Sequence, residues 1–247
     1  MSLPAFGFVT VHRQPLAGGV AHEAQWLAGS AAHGRACAHL WTAPRGLVVP
    51  RRYTSLPGWA AAASERQHGE VQVRASGGGL VPQGPGVWNL SLAWPVEAAT
   101  PAAADGVYRD LCDALAAAFA RLGLTAVPQP VEGSFCDGRY NLAVRGAKLA
   151  GTAQAWRRVC GRSMVLAHAV VVVSADPAEL TARANAFEAA LGSTTRYRAQ
   201  ALTSVALACG QAHADIEART LTVLAEQFAR AIPARTSNLT ETIDGPA

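Results

Sequence analysis

The chain lacks most of the simple signatures from which a function is read. Its five cysteines (Cys37, Cys112, Cys136, Cys160 and Cys209) are odd in number, contain no Cys-x-x-Cys pair and have no framework spacing. That excludes a disulfide scaffold and points to free thiols in a reducing compartment. Seven histidines show no metal-ligand spacing, and Cys37-Ala38-His39 alone is weak, so no metal is expected. Charged residues are only 15% of the chain and the net charge is +4. The basic clusters of a nucleic-acid-binding protein are missing, Arg157-Arg158 being the one short basic pair, so no nucleic-acid partner is expected. No apolar run is long enough to cross a bilayer, and Met1 to Thr10 has no charged region followed by an apolar core. The expectation is a cytoplasmic protein without a membrane partner. No internal repeat and no convincing linker divides the chain. With half of its residues hydrophobic, it reads as one α+β domain over residues 1–235, with a mixed or antiparallel sheet packed with helices and a flexible tail at 236–247.

The pattern that is present supports that class. Helical segments are expected at 20–32, at 55–68 with Pro57 near the start, and at roughly 213–232. The clearest amphipathic helix runs from Asp105 to Gly123, where Val107, Leu111, Leu115, Phe119 and Leu122 recur at helical spacing. Asp176-Pro177-Ala178-Glu179 is a helix start, with Asp as cap, Pro at the first position and Glu in the first turn. Residues 38–49 read as two strands around a turn at Pro44. Glu70 to Ser76 alternates, with Val71, Val73 and Ala75 on one face. Val87 to Trp94 alternates more strongly, placing Trp88, Leu90, Leu92 and Trp94 on one face and Asn89 and Ser91 on the other. Tyr140–Val144 and Lys148–Trp156 form a hairpin pattern around Arg145-Gly146-Ala147. Val165–Val173 reads as a strand buried on both faces.

Two segments carry candidate chemistry. Gly133-Ser134-Phe135-Cys136-Asp137-Gly138 places a cysteine in a glycine-flanked loop, unlike Cys112 and Cys209, which suit an apolar core. A thiolate is the reactive form, and a cation beside it favours that form. Lys148, at the start of the following strand, supplies such a cation if the hairpin folds back toward the loop. Small neighbours, Gly151, Thr152 and Ala153, leave room there for a ligand. The second segment is Arg74-Ala75-Ser76-Gly77-Gly78-Gly79-Leu80-Val81. Three glycines after a strand read either as a flexible turn or as backbone amides free to approach a carbonyl, carboxylate or phosphate. No Gly-Lys-Ser/Thr follows, so it is not a P-loop, nor is it a dinucleotide fingerprint. Asn89, opposite the tryptophans, points toward the same pocket as Arg74. His168, inside an apolar strand, reads as a core histidine with satisfied ring nitrogens rather than as a catalytic base.

Taken in order, these motifs resemble the biotin/lipoate protein ligase and acyltransferase superfamily. Arg74-x-Ser76-Gly77-Gly78-Gly79 followed by Asn89-Leu90-Ser91 resembles its acyl-site segment. Gly146-x-Lys148-x-x-Gly151-x-Ala153-Gln154 resembles its lysine motif, and Val165 to His168 with Asp176 to Leu180 resembles the strand and helix beyond. Gly133-Ser134-Phe135-Cys136-x-Gly138-x-Tyr140 is most similar to the cysteine-dependent octanoyltransferases that take octanoyl from the glycine cleavage H protein. The resemblance implies the fold of the catalytic domain of biotin and lipoate ligases, Cys136 as nucleophile and Lys148 as its partner. It implies an acyl site at Arg74, Ser76, Gly77, Gly78, Gly79, Leu80, Val81, Asn89, Gly151, Thr152 and Ala153. The reaction it implies moves an octanoyl or lipoyl group to a lysine of a lipoyl-domain protein, with no cofactor. Expected partners are the glycine cleavage H protein and the acyltransferase subunits of 2-oxoacid dehydrogenases, with an acyl carrier protein as a further donor. The alternatives are an ATP-dependent lipoate or octanoate ligase, which would use ATP and Mg, and a non-catalytic acyl or carrier-domain binding protein. The sequence departs from the family pattern at Pro82-Gln83, where a histidine is usual, at Asp137, where proline is usual, and at Ala155-Trp156, which interrupts a Gln–Arg run.

Overall fold

The computed structural model describes residues 3–97, 100–211 and 213–229. Along the chain these form β1 (Thr10–His12), α1 (Gly19–His33), β2 (Cys37–Trp41), β3 (Gly46–Pro50), α2 (Trp59–Ser64), β4 (Glu70–Arg74), β5 (Val81–Gln83) and β6 (Val87–Val96). There follow α3 (Pro101–Ala120), β7 (Val127–Pro128), β8 (Leu142–Val144), β9 (Ala147–Val159), β10 (Arg162–Val172), α4 (Pro177–Ala190), α5 (Val205–Cys209) and α6 (His213–Ala229). Among the described residues a seven-stranded sheet runs β1-β2-β6-β10-β9-β8-β7, and a three-stranded sheet runs β4-β3-β5. Among the strand pairs of the described residues, β1–β2 and β3–β4 are parallel and the others antiparallel. The mixed α+β class expected from the sequence is the class observed.

The large sheet is built on the alternation of β6. Trp88, Leu90, Leu92 and Trp94 enter one core with Val107, Leu111, Leu115 and Phe119 of α3 and with Ile216, Leu224 and Phe228 of α6. Burying each of these large side chains contributes roughly 1.5–3 kcal/mol. The other face of β6 presents Asn89 and Ser91. A second core joins Leu47, Val49, Leu80, Phe135 and Phe187, that is, the small sheet, the cysteine loop and α4. A cleft beside them is lined from both sheets, by Trp41 and Asn89 of the large one and Val48 and Val81 of the small one.

Several boundaries differ from the sequence reading. The strands either side of Pro44 belong to different sheets, β2 to the large one and β3 to the small one. The helix expected at 55–68 shrinks to α2 flanked by 3₁₀ turns at Arg51–Ser55 and Arg66–His68, because Pro57 lacks a donor and Gly58 weakens the turn that follows. Helix α3 begins four residues early, since the Thr100 side chain accepts the Ala103 N–H and Pro101 occupies the first turn. The start at Asp176 is as read: its carboxylate accepts the Ala178 N–H at 2.9 Å. The strand expected to be buried on both faces has one face only partly covered, at His168 and Val170. Residues 230–232 of the expected last helix and the expected tail at 236–247 lie outside the described residues.

Candidate active site

The cysteine loop, residues 129–141, connects β7 to β8. Cys136 has φ +53°, the left-handed region, which costs a non-glycine residue roughly 1–2 kcal/mol and is held only where neighbours over-determine it. The neighbours are visible. Lys148 Nζ donates to the carbonyls of Phe135 at 2.7 Å and of Cys136 at 2.9 Å. Asn141 Nδ2 also donates to the Cys136 carbonyl, at 3.4 Å. Phe135 is buried in the second core. Asp137 turns back into its own loop, where Oδ1 accepts the Val131 N–H at 2.7 Å. Asp137 thus acts as a cap within the loop.

The sulfur is placed from the other side. Gly79 N–H donates to Cys136 Sγ at 3.1 Å, and Arg74 Nη2 lies 3.9 Å from it. Arg74 is itself buried and fixed, donating to Val48 O at 3.2 Å, to Gly77 O at 3.0 and 3.2 Å and to Gly79 O at 2.6 Å. One sequence expectation is extended and another changes here. The hairpin does bring Lys148 to Cys136, where its Nζ grips the loop carbonyls, and Arg74 adds a second cation, nearer the sulfur side. The triple glycine is not an open nest of amides. Its carbonyls at 77 and 79 turn to Arg74, and the Gly79 amide is occupied by sulfur.

Lys148 is the only lysine in the chain, and it is 1% exposed. Burial lowers its pKa from 10.5 to about 8, against the opposing pull of Cys136 and Asp137. An added Cβ at Gly151 would lie 2.9 Å from Nζ, so glycine there makes room for the ammonium group. The uniqueness of this lysine was a sequence signal for a special role: elsewhere arginine meets the need for surface charge, and only here is a slim titratable amine retained.

Cys136 opens into a largely apolar cleft with about 510 Å³ of atom-free space, its mouth included. Of the expected acyl-site residues, Arg74, Val81, Asn89, Gly151, Thr152 and Ala153 line it together with Cys136 and Lys148. Leu80 does not. It is fully buried in the second core, because the alternation through β5 turns its neighbour Val81 to the cleft. Gly78 and Gly79 pack against Cys136 rather than line the cleft, and Gly77 is exposed. Asn89 is locked to Gln83 by two amide hydrogen bonds of 2.8 and 3.3 Å. Gln83 thereby supports the cleft wall at the departure beside Pro82. The Thr152 hydroxyl donates to Tyr140 O at 2.8 Å and ties β9 to the cysteine loop.

Ser76 faces a second, larger cavity of about 540 Å³ between α1, β4, β9 and β10. There its Oγ meets His168 Nε2 at 2.9 Å, while His168 Nδ1 meets Glu23 Oε1 at 3.0 Å. Glu23 also accepts from Ser91 Oγ at 2.7 Å, and Ser91 accepts from Trp41 Nε1 at 2.9 Å. Both ring nitrogens of His168 are satisfied, as expected of a core histidine, yet the side chain borders both cavities. Burial opposes ionisation of Glu23, but His168, Ser91 and Arg74 outweigh it and hold the carboxyl below its ordinary pKa. The sequence reading missed Glu23. Its signal was a carboxylate on the inward face of α1, with Leu27, Ser30 and Ala31 at helical spacing.

Comparison with known proteins bears on this site. The lipoyl protein ligase A/B catalytic domain matches residues 21–217. An uncharacterized protein of Cupriavidus necator is 48% identical over 202 residues, covering 75% of this chain and 80% of its own. An octanoyl-[GcvH]:protein N-octanoyltransferase of Kyrpidia tusciae is 34% identical over 208 residues, covering 82% of this chain and 62% of its own, so the match spans less than two thirds of that relative. Among solved structures, lipoate-protein ligase A bound with ATP superposes with a TM-score of 0.66 at 16% identity, over 90% of this chain and 85% of that one. At that identity the likeness establishes the fold.

Proposed function

The chain belongs to the lipoyl protein ligase A/B catalytic-domain family, and from that premise we propose that it moves an octanoyl or lipoyl group onto a lysine of a lipoyl-domain protein through a thioester on Cys136. The observation that carries this reading is the seating of the sulfur. It sits on the wall of an apolar cleft, anchored by the Gly79 amide and facing the fixed guanidinium of Arg74. In the first half-reaction Sγ bonds to the carbonyl carbon of the acyl donor, the donor's bond to its leaving group breaks, and the thiol proton ends on that group. In the second, the acceptor lysine nitrogen bonds to the same carbon and sulfur leaves. Negative charge on sulfur, as it attacks and again as it leaves, rests beside Arg74 and a backbone N–H, the kind of preorganised partner that needs no rearrangement during reaction. Lys148 is a positioning residue in this scheme: its two hydrogen bonds hold Cys136 in the left-handed conformation that presents the thiol. Each methylene buried in the cleft adds about 0.8 kcal/mol to binding of the acyl chain.

The Kyrpidia relative, by name an octanoyl-[GcvH]:protein N-octanoyltransferase, supports octanoylated H protein as donor and a protein as acceptor; the proposal takes the acceptors to be other lipoyl domains and adds an acyl carrier protein as a second donor. Exchange of amide for thioester and back to amide is close to balanced overall, so the proposal includes no nucleotide or metal.

The test is intact-mass analysis after incubation with octanoylated H protein. The wild type is expected to gain one octanoyl group that hydroxylamine removes, and Cys136→Ser to gain none. The only lysine is buried, so amide adducts on surface lysines do not confuse the reading. Absence of an adduct with octanoylated H protein and with octanoyl carrier protein overturns the thioester. So does ATP-dependent ligation with pyrophosphate release that persists in Cys136→Ala.

A further inference from the structure

One buried carboxyl group takes no part in the proposed chemistry. Glu188, on α4, is 2% exposed, and among the described residues it makes no ion pair. A carboxyl buried without a cation costs stability relative to an apolar side chain of similar size. Its contacts show what it holds. Oε1 accepts the Tyr53 hydroxyl at 2.7 Å and the Tyr197 hydroxyl at 2.8 Å. We propose that Glu188 is a positioning residue for Cys136, which through Tyr53 and Tyr197 fixes the separation of the two segments that seat the sulfur; this rests on the acyl-transfer reading above.

Tyr197 belongs to the side of the cysteine loop. Its ring stands edge-on to Phe135, with centroids 6.4 Å apart. The next residue, Arg198, donates its backbone N–H to Gly133 O at 2.8 Å and its guanidinium to Glu132 O at 2.9 Å, so the loop is held from behind. Tyr197 is in turn clamped to α4: Asn185 Oδ1 accepts its N–H at 2.7 Å, and Asn185 Nδ2 donates to its carbonyl at 3.0 Å. Tyr53 belongs to the side of the glycines. It follows β3, whose Val48 carbonyl holds Arg74, and it packs in the second core with Leu80, the residue after Gly79. The Leu80 N–H faces its phenol oxygen. Burial and Glu188 push the Tyr53 phenol up to about 12, so it stays a donor through the neutral range.

Between the two sides the backbones nearly touch. A Cβ added at Gly79 would lie 3.0 Å from Cys136 Cα and 3.1 Å from its N, and Sγ sits 3.1 Å from the Gly79 amide. The gap cannot close further. It can only widen, and widening withdraws the Gly79 N–H and Arg74 from the sulfur. The phenol–carboxyl–phenol bridge opposes that movement, because each O–H···O contact confines its two oxygens to within about half an ångström. One oxygen of α4 therefore ties the wall that carries Gly79 to the loop that carries Cys136.

The test takes three readouts: kcat and KM for charging by octanoyl-N-acetylcysteamine, a small thioester; alkylation of Cys136 by iodoacetamide, read by mass on its peptide; and thermal unfolding. Glu188→Ala is expected to lose about 10-fold or more in kcat with KM within about twofold, because the cleft is intact and the sulfur displaced. Alkylation is expected to fall with kcat, since it needs the thiolate but no acyl site. Tyr197→Phe keeps the ring against Phe135 and loses one oxygen, and is expected to slow both reactions about threefold. Glu188→Gln offers the same acceptor oxygen and is expected to keep both rates within about twofold of the wild type. Leu224→Ala, in the first core on α6, is the control for lost stability and is expected to leave both rates unchanged. Wild-type rates in Glu188→Ala and Tyr197→Phe, or an equal slowing in Leu224→Ala, would overturn the proposal while leaving the Cys136 thioester standing. If Glu188→Ala does not fold, Tyr197→Phe decides alone. Failure of the wild type to charge removes the acyl-transfer reading, and the alkylation series then decides the positioning.

Discussion

Replacing Gly78 with alanine tests the seating of the thiol more sharply than removing the thiol does. Gly78 has φ +104°, and a Cβ built there falls 2.6 Å from Cys136 Sγ and 2.8 Å from Arg74 Nη2. Ordinary contact begins at 3.4 Å, so the sulfur and the guanidinium must each retreat by at least 0.6–0.8 Å. Neither can do so freely. Arg74 is tied to three carbonyls, and Cys136 is tied to Gly79 and through its carbonyl to Lys148. The backbone adds its own cost, of about 1–2 kcal/mol for an L-residue at that φ. A displacement near 1 Å at a reacting atom costs about 10²-fold in rate. Gly77→Ala is the control, since its added Cβ would meet nothing within 4 Å. The assay is the rate of octanoyl-enzyme formation by intact mass, with thermal unfolding followed in parallel. Gly78→Ala is expected to lose about 10²-fold in acylation and 1–2 kcal/mol or more in stability, and Gly77→Ala to stay within about twofold. Similar rates in the two variants would refute the idea that the Gly78 backbone and the Arg74 guanidinium confine the sulfur.

Two further outcomes follow from the charges around the loop. Lys148 titrates near 8 in the folded chain against 10.5 in the reference state, so between those values the unfolded chain binds more protons and stability rises with pH. From pH ~8 to ~10 urea unfolding should show wild-type stability increasing by about 2 kcal/mol relative to Lys148→Met, which lacks this group; parallel pH profiles would contradict the buried, desolvated ammonium. Asp137→Asn should change acylation by no more than about twofold, because its side chain caps the Val131 amide and a neutral carbonyl oxygen serves there as well. A tenfold change would mean that the carboxylate acts on the sulfur after all.

The parts of this protein that follow from near neighbours in the chain were legible before any fold was known. The period-two pattern of β6 sorted Trp88, Leu90, Leu92 and Trp94 to the core and Asn89 and Ser91 to the opposite face, where Asn89 lines the cleft. The cap at Asp176 marked a helix start to the residue. The hairpin of β8 and β9 was read from its turn, and the cysteine loop from its glycines. What escaped was the sorting of strands between sheets and the identity of contacts between distant segments. Pro44 announced a turn but not that β2 and β3 part company. Glu23 lay in a helix whose pattern showed which face turns inward, without showing what waits there.

By itself, then, the sequence determined the α+β class, the principal core strand and two segments that meet at the cleft, because periodicity and turn chemistry act over a few residues. Tertiary structure alone decided which groups meet. Gly79 and Arg74 reach the Cys136 sulfur from 57 and 62 residues away, and Glu23 reaches His168 across 145. Such pairs are set by sheet register and by the packing of α1 and the small sheet against the cleft, and no local pattern encodes them. That is why Arg74 joins Lys148 at Cys136, the one beside the sulfur and the other on the loop carbonyls.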